Sequence, residues 1–245
     1  MNNLNLNIVI KKIKTRGYWK LVIEPTKPVS NFFNHISEAE DLIENSSIKL
    51  RGWNYPHVPN ENQQHQGIEI QNHRVNGFII WHHFLEAWSF YDSGQFVHIF
   101  GLREDWFKES DWLTEQDHLK HIEPNTILDF VGTTLSVTEM LLFSQNLINN
   151  AKYGDSVRIT ISLHNVQNRK LTTIDPNRVP MFSNYMATTN EITGFEKVVT
   201  KTDLNDNTLL LAEETVIRIF KFFRGFNPPI QVIKDDQKKL IERRL

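Results

Sequence analysis

Residues 84–100 read FLEAWSFYDSGQFVHIF, and this stretch decides the fold prediction because two apolar segments flank a polar centre. Asp92, Ser93 and Gly94 supply turn chemistry at that centre. The aromatic side chains around the turn favour strands, so we predict a β-hairpin. A simple register places five side chains on one face: Trp88, Phe90, Phe96, His98 and Phe100. A bulge at Gly94 would alter that face, and a helix over residues 82–92 is the second interpretation.

Upstream of this hairpin, the sequence predicts further strands and one short helix. Residues 4–10 and 18–23 are rich in branched and aromatic side chains around a Gly-containing turn, which predicts a first hairpin. Ser37 and Glu40 have the spacing of a capping box and predict a helix over residues 38–45. The alternation over residues 48–52 predicts a short strand that leads into a polar loop over residues 54–67.

Downstream, helical periodicity dominates the sequence. Residues 126–152 carry apolar side chains near a period of 3.6, with Gly154 placed to close the helix in a left-handed conformation. The remaining segments are a half-buried strand over 156–163, a loop over 165–191, a strand over 195–202, a helix over 209–226 capped by Asp206 and Asn207, and a solvated or frayed tail over 234–245. Short helical turns are expected over 103–107 and 112–121.

These elements together predict an α+β fold, in which a mostly antiparallel sheet of hairpins packs against two long buried helices. We expect one domain over residues 1–245. Its sub-blocks would be strand-rich over 1–124 and helix-rich over 125–245, with the boundary near Glu123 and Pro124.

Composition limits the kind of protein and its partners. The formal net charge is −2 and the pI is about 6.6, which disfavours a global attraction to nucleic acid or an anionic membrane. The chain has no cysteine, which excludes disulfides, thiolate metal sites and cysteine nucleophiles. The sequence shows neither a signal peptide nor an apolar run of membrane-spanning length, so we expect a soluble cytoplasmic protein.

Several common activities lack the spacing that their chemistry needs. The sequence contains no phosphate-binding P-loop, no dinucleotide-binding glycine motif, no paired-histidine zinc motif and no nucleophile-elbow serine. Asp92, Ser93 and His98 are close in sequence, but Asp-Ser-Gly is ordinary turn chemistry, and nothing else indicates a nucleophile held by a base.

Histidines suggest the main enzymatic alternative, a histidine-dependent metal hydrolase. Six of them are close together in the sequence: His57, His82, His83, His98, His118 and His121. Neutral imidazole is a common metal ligand, yet His82 and His83 would point to opposite faces of a strand. Structural hydrogen bonding or a surface position explains most of these residues better than a metal site does, and we therefore assign no metal ligands.

Aromatic bulk beside polar groups indicates a binding surface over residues 51–106. The candidate ligand-binding residues are Arg51, Trp53, His57, Trp88, Tyr91, Gln95, His98 and Arg103. Tryptophan and tyrosine offer stacking faces with a polar tip, and the arginines offer anion-binding forks. The competing interpretation is structural: the aromatic rings are core, residues 92–95 are only a turn, and Arg51 is a salt-bridge partner.

Three segments resemble a set of uncharacterised bacterial proteins. They are RGWNYPH at Arg51–His57, YDSGQFVH at Tyr91–His98 with LREDW at Leu102–Trp106, and the IEPT sequence at Ile23–Thr26. The resemblance runs along most of the chain. It implies a bacterial origin and a self-standing domain, and it carries over no catalytic roles.

The function predicted from the sequence is that of a bacterial cytosolic binding or sensing module without enzymatic activity. Its recognition surface would lie in the 51–106 region, and its partner would be a protein or a small ligand. We expect no cofactor. The alternatives are the histidine-dependent metal hydrolase and a nucleic-acid-binding protein. A basic and aromatic surface could also bind nucleic acid, but the pI disfavours that function.

Overall fold

A computed structural model describes residues 4–27, 29–33, 35, 37–59, 63–114 and 118–244. The helices are α1 (Leu6–Ile13), α2 (Ser37–Ser46), α3 (Phe130–Asn150), α4 (Lys201–Phe220) and α5 (Ile230–Ile241). The strands are β1 (Tyr18–Pro25), β2 (Gln66–Gln71), β3 (Arg74–Trp81), β4 (Phe84–Tyr91), β5 (Phe96–Gly101), β6 (Ile127–Asp129), β7 (Ser156–His164), β8 (Lys170–Thr172) and β9 (Glu191–Thr200). Short 3-10 helices span Arg103–Asp105, Phe107–Glu109 and His118–His121.

The main sheet confirms the predicted α+β class. Seven antiparallel strands lie in the order β2-β3-β4-β5-β1-β7-β9, and a separate parallel pair joins β6 to β8. β1 lies between β5 and β7, so the sheet includes strands from both sides of Glu123. α3 and α4 pack against each other, and both carry many buried side chains.

Alternation along β4 separates two hydrophobic cores. Trp88 and Phe90 belong to the larger core with α3 and α4, whereas Leu85 and Ala87 pack with α1 on the opposite face of the sheet. The predicted hairpin register is confirmed, because Trp88 lies opposite His98 and Glu86 lies opposite Phe100. One face of this hairpin therefore points toward α3, and the second interpretation, a helix over residues 82–92, is wrong.

The first predicted hairpin is wrong, because residues 6–13 form α1 instead of a strand. Branched side chains suggested a strand, but Leu6, Val9 and Ile13 recur at helical spacing and are buried together. The Asn5 side chain also accepts a hydrogen bond from the backbone of Ile8, which caps the helix. Packing and capping outweigh the strand propensity here.

Several predicted boundaries also needed correction. The strand over 48–52 is a single bridge from Ile48 to Tyr55, and the segment predicted as loop includes β8 and the start of β9. α3 begins three residues after β6 starts and ends at Asn150, and Gly154 does not adopt the left-handed conformation. Thr200 caps α4, not Asp206 and Asn207.

The remaining elements agree with the sequence in part. α2 and β7 match their predictions, and short helical turns occur after β5 as expected. Residues 115–117 of that segment lie outside the described set. Residues 60–62 of the predicted polar loop also lie outside it. The C-terminal segment is α5, which buries Ile233 and Leu240, so it is not merely a solvated tail. None of the helices in the described part of the chain has both the length and the apolar character needed to cross a bilayer.

Candidate ligand-binding site

A cavity of about 220 Å³ lies between the α3-facing side of the sheet and the first turns of α3. The segment over residues 51–55 and the first two 3-10 helices after β5 complete its walls. Aromatic side chains form much of the lining: Trp19, Trp53, Phe84, Phe100 and Phe107. Among them are charged groups of both signs: Arg51, Arg103, Glu86, Glu104, Asp129 and Glu139. An apolar concavity with a few polar groups is the usual form of a small-molecule site.

The start of α3 delivers one polar wall of this cavity. Asp129 caps the helix, since its Oδ2 accepts a hydrogen bond of 2.7 Å from the backbone of Gly132. Thr133, Ser136 and Glu139 follow at intervals of three residues on nearby faces of the helix and line the same cavity. The Oγ1 atom of Thr133 is buried and has no hydrogen-bond partner among the described residues.

Arg51 is held by Glu139 across the cavity wall. Its Nε donates to Oε1 at 3.0 Å, and its Nη2 donates to Oε2, which makes a two-bond fork. The side chain of Glu139 is 1% exposed, so this carboxylate depends on Arg51 for its pairing. The structural interpretation of Arg51 as a salt-bridge partner therefore describes this contact, although Arg51 also lines the cavity.

Arg103 differs from Arg51 because it has no described carboxylate within salt-bridge distance. Its Nη2 donates to Nε2 of His83 at 3.1 Å, and its guanidinium lies 4.8 Å from the centroid of the Phe84 ring. Arg103 is an exposed residue that lines the cavity, so water and small ligands can reach it. Burial and the charge of Arg51 lower the pKa of Arg103 to about 10, so it stays positive at neutral pH.

His83 fixes the orientation of Arg103 through its protonation state. An arginine can only donate, so Nε2 of His83 must accept, and Nδ1 then donates to Oγ of Ser110 at 3.1 Å. Burial, followed by the charges of Arg103 and His82, lowers the pKa of His83 to about 4. The imidazole is therefore neutral at pH 7 and acts as a fixed acceptor.

Two neighbouring carboxyl groups meet the cavity near Arg103. Oε1 of Glu104 accepts a hydrogen bond of 3.0 Å from the backbone of Asp129. Burial and the charge of Asp129 raise the pKa of Glu104 to about 7, and burial also raises the pKa of Asp129. Neither carboxyl forms a salt bridge with a described cation, so ionising Glu104 and Asp129 together costs free energy through burial and mutual repulsion.

Glu86 connects the cavity wall to the buried core of the sheet. Its carboxylate accepts from Nε1 of Trp53 at 3.0 Å, from the backbone of His57 at 3.3 Å and from Nε2 of His98 at 2.9 Å. Burial alone would raise the pKa of Glu86, but the bonds and charges of His98 and its neighbours lower it. Nδ1 of His98 then meets the hydroxyl of Tyr55 at 3.1 Å.

The structure brings some of the predicted ligand-binding residues to the cavity and places others elsewhere. Arg51, Trp53 and Arg103 line it. His57 stacks on Trp53 with ring centroids 4.7 Å apart, just behind the wall. Trp88 is 1% exposed and donates to the His57 carbonyl, so it belongs to the core.

His98, Tyr91 and Gln95 do not reach the cavity. His98 is fully buried behind Glu86. Tyr91 lies five residues beyond Glu86 along β4, roughly 17 Å away at strand spacing, and it accepts a hydrogen bond from Arg74. Gln95 donates to Glu24 at that same end of the sheet. The predicted surface is therefore divided between the two ends of the hairpin.

The sequence interpretation missed the acidic groups and the hydroxyl of the cavity: Glu86, Glu104, Asp129, Thr133 and Glu139. Two signals in the sequence were available. Asp129 precedes a long apolar periodic segment, as a helix cap does, and Glu139 is the only charged residue within Phe130–Asn150. A charge in the middle of a buried helix requires a partner from elsewhere in the chain.

The six clustered histidines have separate environments. His57 is hydrogen-bonded to Gln66, the His82 ring is tilted against Trp112 with centroids 4.3 Å apart, and His118 donates to the carbonyl of Ile174. Within the described ranges, no three His, Asp or Glu side chains converge as a metal site would require.

No protein-family model matches the chain, and neither the curated proteins nor the solved structures contain a match. The cavity itself therefore supports the functional argument.

Proposed function

We propose that the chain is a non-enzymatic binding or sensing module that holds a small anionic ligand beside Arg103. The observation that carries this proposal is the state of the Arg103 guanidinium. It is positive at neutral pH, it is held by His83 and Phe84, and it faces the cavity without a described carboxylate partner. A preorganised cation of this kind lacks only an anion to complete its hydrogen bonding.

Three other arginines of the chain support this interpretation by contrast, because each is paired with a carboxylate. Arg51 is paired with Glu139, Arg169 with Asp105, and Arg178 with Asp236. Each of these guanidinium groups is neutralised within the fold. Arg103 differs from all three, because it is exposed and has no carboxylate partner among the described residues, so an anionic ligand can reach its guanidinium from the cavity.

The cavity favours a small ligand over a protein partner. Its volume of about 220 Å³ and its aromatic walls suit a compact apolar body, whereas a protein partner would need a broader surface. We place the module in the bacterial cytoplasm, in keeping with the sequence resemblance and the lack of cysteine. Ligand contacts would join the start of α3 to the segments over residues 51–55 and 103–107, which gives a route for sensing.

The test is calorimetric titration with 4-methylpentanoate and with its neutral amide, 4-methylpentanamide. We expect the carboxylate to bind at least about tenfold more tightly than the amide, because a hydrogen-bonded charge pair contributes about 1.5–3 kcal/mol. Arg103→Gln should remove that difference.

Arg74→Gln is the matched control for Arg103→Gln. Arg74 bonds Gln71 and Tyr91 at the far end of the sheet, so this variant should bind the carboxylate as the wild type does. The proposal is abandoned if no small apolar carboxylate binds, or if Arg103→Gln binds such a carboxylate as tightly as the wild type.

A further inference from the structure

We infer that the anion at Arg103 also carries an ammonium group, which Asp129 and Glu104 bind, so that the ligand is a free α-amino acid with a small apolar side chain. This inference rests on the proposed function and names its ligand class. It starts from a separation of charge within one cavity. Arg103 lies on one side, the two carboxyls lie near it, and no described Arg103 nitrogen is within salt-bridge distance of either.

A zwitterion fits this separation better than a simple anion does. A simple anion would satisfy Arg103 but would add negative charge beside Glu104 and Asp129. A ligand with one charge of each sign can pair with both Arg103 and the two carboxyls. The ammonium and carboxylate groups of an α-amino acid are bonded to the same carbon atom, so the two charges lie close together. Attraction within the cavity then replaces the repulsion between the two carboxyls.

The hydrogen-bond inventory of the wall agrees with an ammonium group. Thr133 is 2% exposed, and its Oγ1 lies one turn beyond Asp129 without a partner among the described residues. The Asp129 carboxylate accepts from the backbone of Gly132, Ile174 and Val131, which leaves about one of its four acceptor sites open. An ammonium has three donors, and Thr133, Asp129 and Glu104 offer three acceptors.

The pKa values of the two carboxyls point the same way. The pKa of Glu104 is raised to about 7 and that of Asp129 is raised, in each case first by burial. The charged groups that line the cavity with Glu104 are Arg51, Arg103, Glu86, Asp129 and Glu139, and the charge of Asp105 also acts on Glu104. A cation placed between Glu104 and Asp129 would lower both values, and Glu104 would then release a proton near pH 7.

The volume limits the side chain of the ligand. A dry cavity of roughly 150 Å³ holds benzene, so about 220 Å³ suits a ligand of roughly nine non-hydrogen atoms. Leucine has that size, and its branched side chain would contact the aromatic wall formed by Trp53, Phe84 and Phe107. Larger amino acids would have to extend through the opening.

The experiment compares three probes that share one apolar group: leucine, 4-methylpentanoate, which lacks the amine, and 3-methylbutylamine, which lacks the carboxylate. Calorimetry at pH 7 should give leucine an affinity at least about tenfold above that of either analogue. Titrations in two buffers of different ionisation enthalpy should show proton release with leucine and proton uptake with 4-methylpentanoate. The opposite signs follow from the opposite charges placed beside Glu104.

Glu104→Gln provides the matched variant, because the amide oxygen can still accept from the backbone of Asp129. Compared with the wild type, this variant should bind leucine at least about fivefold more weakly and should show no proton release. It should bind 4-methylpentanoate as tightly as the wild type or more tightly. The wild-type comparison of probes needs no variant, so it remains decisive even if Glu104→Gln folds poorly.

The two proposals fail in different ways. If 4-methylpentanoate binds in an Arg103-dependent manner but leucine binds no more tightly, the amino-acid inference is overturned and the anion site stands. If neither carboxylate binds, or if loss of Arg103 changes nothing, the anion site fails and the amino-acid inference fails with it.

Discussion

Nη2 of Arg103 lies 3.1 Å from Nε2 of His83, and this contact exists only while the imidazole is neutral. Ser110 orients the ring from the other nitrogen, so the guanidinium of Arg103 has a defined direction in the cavity. The position of a cation is thus coupled to the protonation of a histidine that lies behind it. Several measurements can test this coupling and the surrounding network.

Lowering the pH should destabilise the wild type relative to His83→Gln. The pKa of His83 is about 4 in the folded chain, whereas its ordinary value of 6.5 applies to the unfolded chain. As the pH falls, the unfolded chain therefore takes up the proton before the folded chain does. The stabilisation by neutral His83 is complete above pH 6.5 and is lost as the pH falls toward 4.

Glutamine keeps an acceptor for Arg103 but does not titrate in this range. Urea unfolding at pH 7 and pH 5 should show the wild type losing about 1–2 kcal/mol more than the variant. Equal losses would mean that His83 is not held neutral by the fold.

For Glu104 the pH dependence has the opposite direction: raising the pH should destabilise the wild type relative to Glu104→Gln. The pKa of Glu104 is raised from 4.5 to about 7, so the folded state favours the protonated carboxyl. That stabilisation is complete below pH 4.5 and is lost as the pH rises through 7. Between pH 5 and pH 8 the wild type should lose about 2 kcal/mol relative to the variant, measured by urea unfolding without ligand. A constant difference between the two proteins would contradict the raised pKa.

Arg51→Met should destabilise the protein strongly, because it leaves the carboxylate of Glu139 buried and unpaired. We expect a loss of about 3–5 kcal/mol in the free energy of unfolding, and adding Glu139→Leu should recover most of it. The exposed pair of Lys197 and Glu214 is the control, and Lys197→Met should cost less than about 1 kcal/mol. A double variant as unstable as Arg51→Met would show that packing, not charge pairing, is what Arg51 contributes.

Gly77→Ala should destabilise the sheet because the new methyl group would collide with Trp88. A Cβ at Gly77 would lie 2.3 Å from the indole ring, and Trp88 is 1% exposed, so the ring has little room to move. Thermal or urea unfolding should show a loss of about 1–3 kcal/mol. Gly154→Ala is the control, since a Cβ there meets open space, and it should be neutral or stabilising by up to about 1 kcal/mol. Equal effects at the two glycines would mean that Trp88 is loosely packed.

Part of the fold could be predicted from local patterns. The hairpin of β4 and β5 follows from alternation around Asp92, Ser93 and Gly94, and its register is as predicted. The strict alternation of β7 and the apolar period of α3 also identify those elements correctly. The prediction for the N-terminal segment was wrong because its branched side chains favour strands. Their spacing of three to four residues stabilises a helix once the sheet covers that face.

The candidate site was less accessible to prediction. Arg51, Trp53 and Arg103 were identified by residue type, and they do line one cavity. Trp88 and His98 share the same hairpin face, yet they are core, because α3 and the segment over residues 51–57 cover them. Residue type and face alone cannot distinguish a covered aromatic side chain from one that borders an opening.

The sequence by itself determined the class of fold, the hairpin face and the presence of a long buried helix, because these depend on periodicities that extend over a few residues. Only the tertiary structure decided which charges meet. Arg51 and Glu139 are 88 residues apart, and Arg103 has no carboxylate partner within the described part of the chain. Pairing between distant side chains is set by how elements pack, and a period along the chain records which face is buried but not what lies against it.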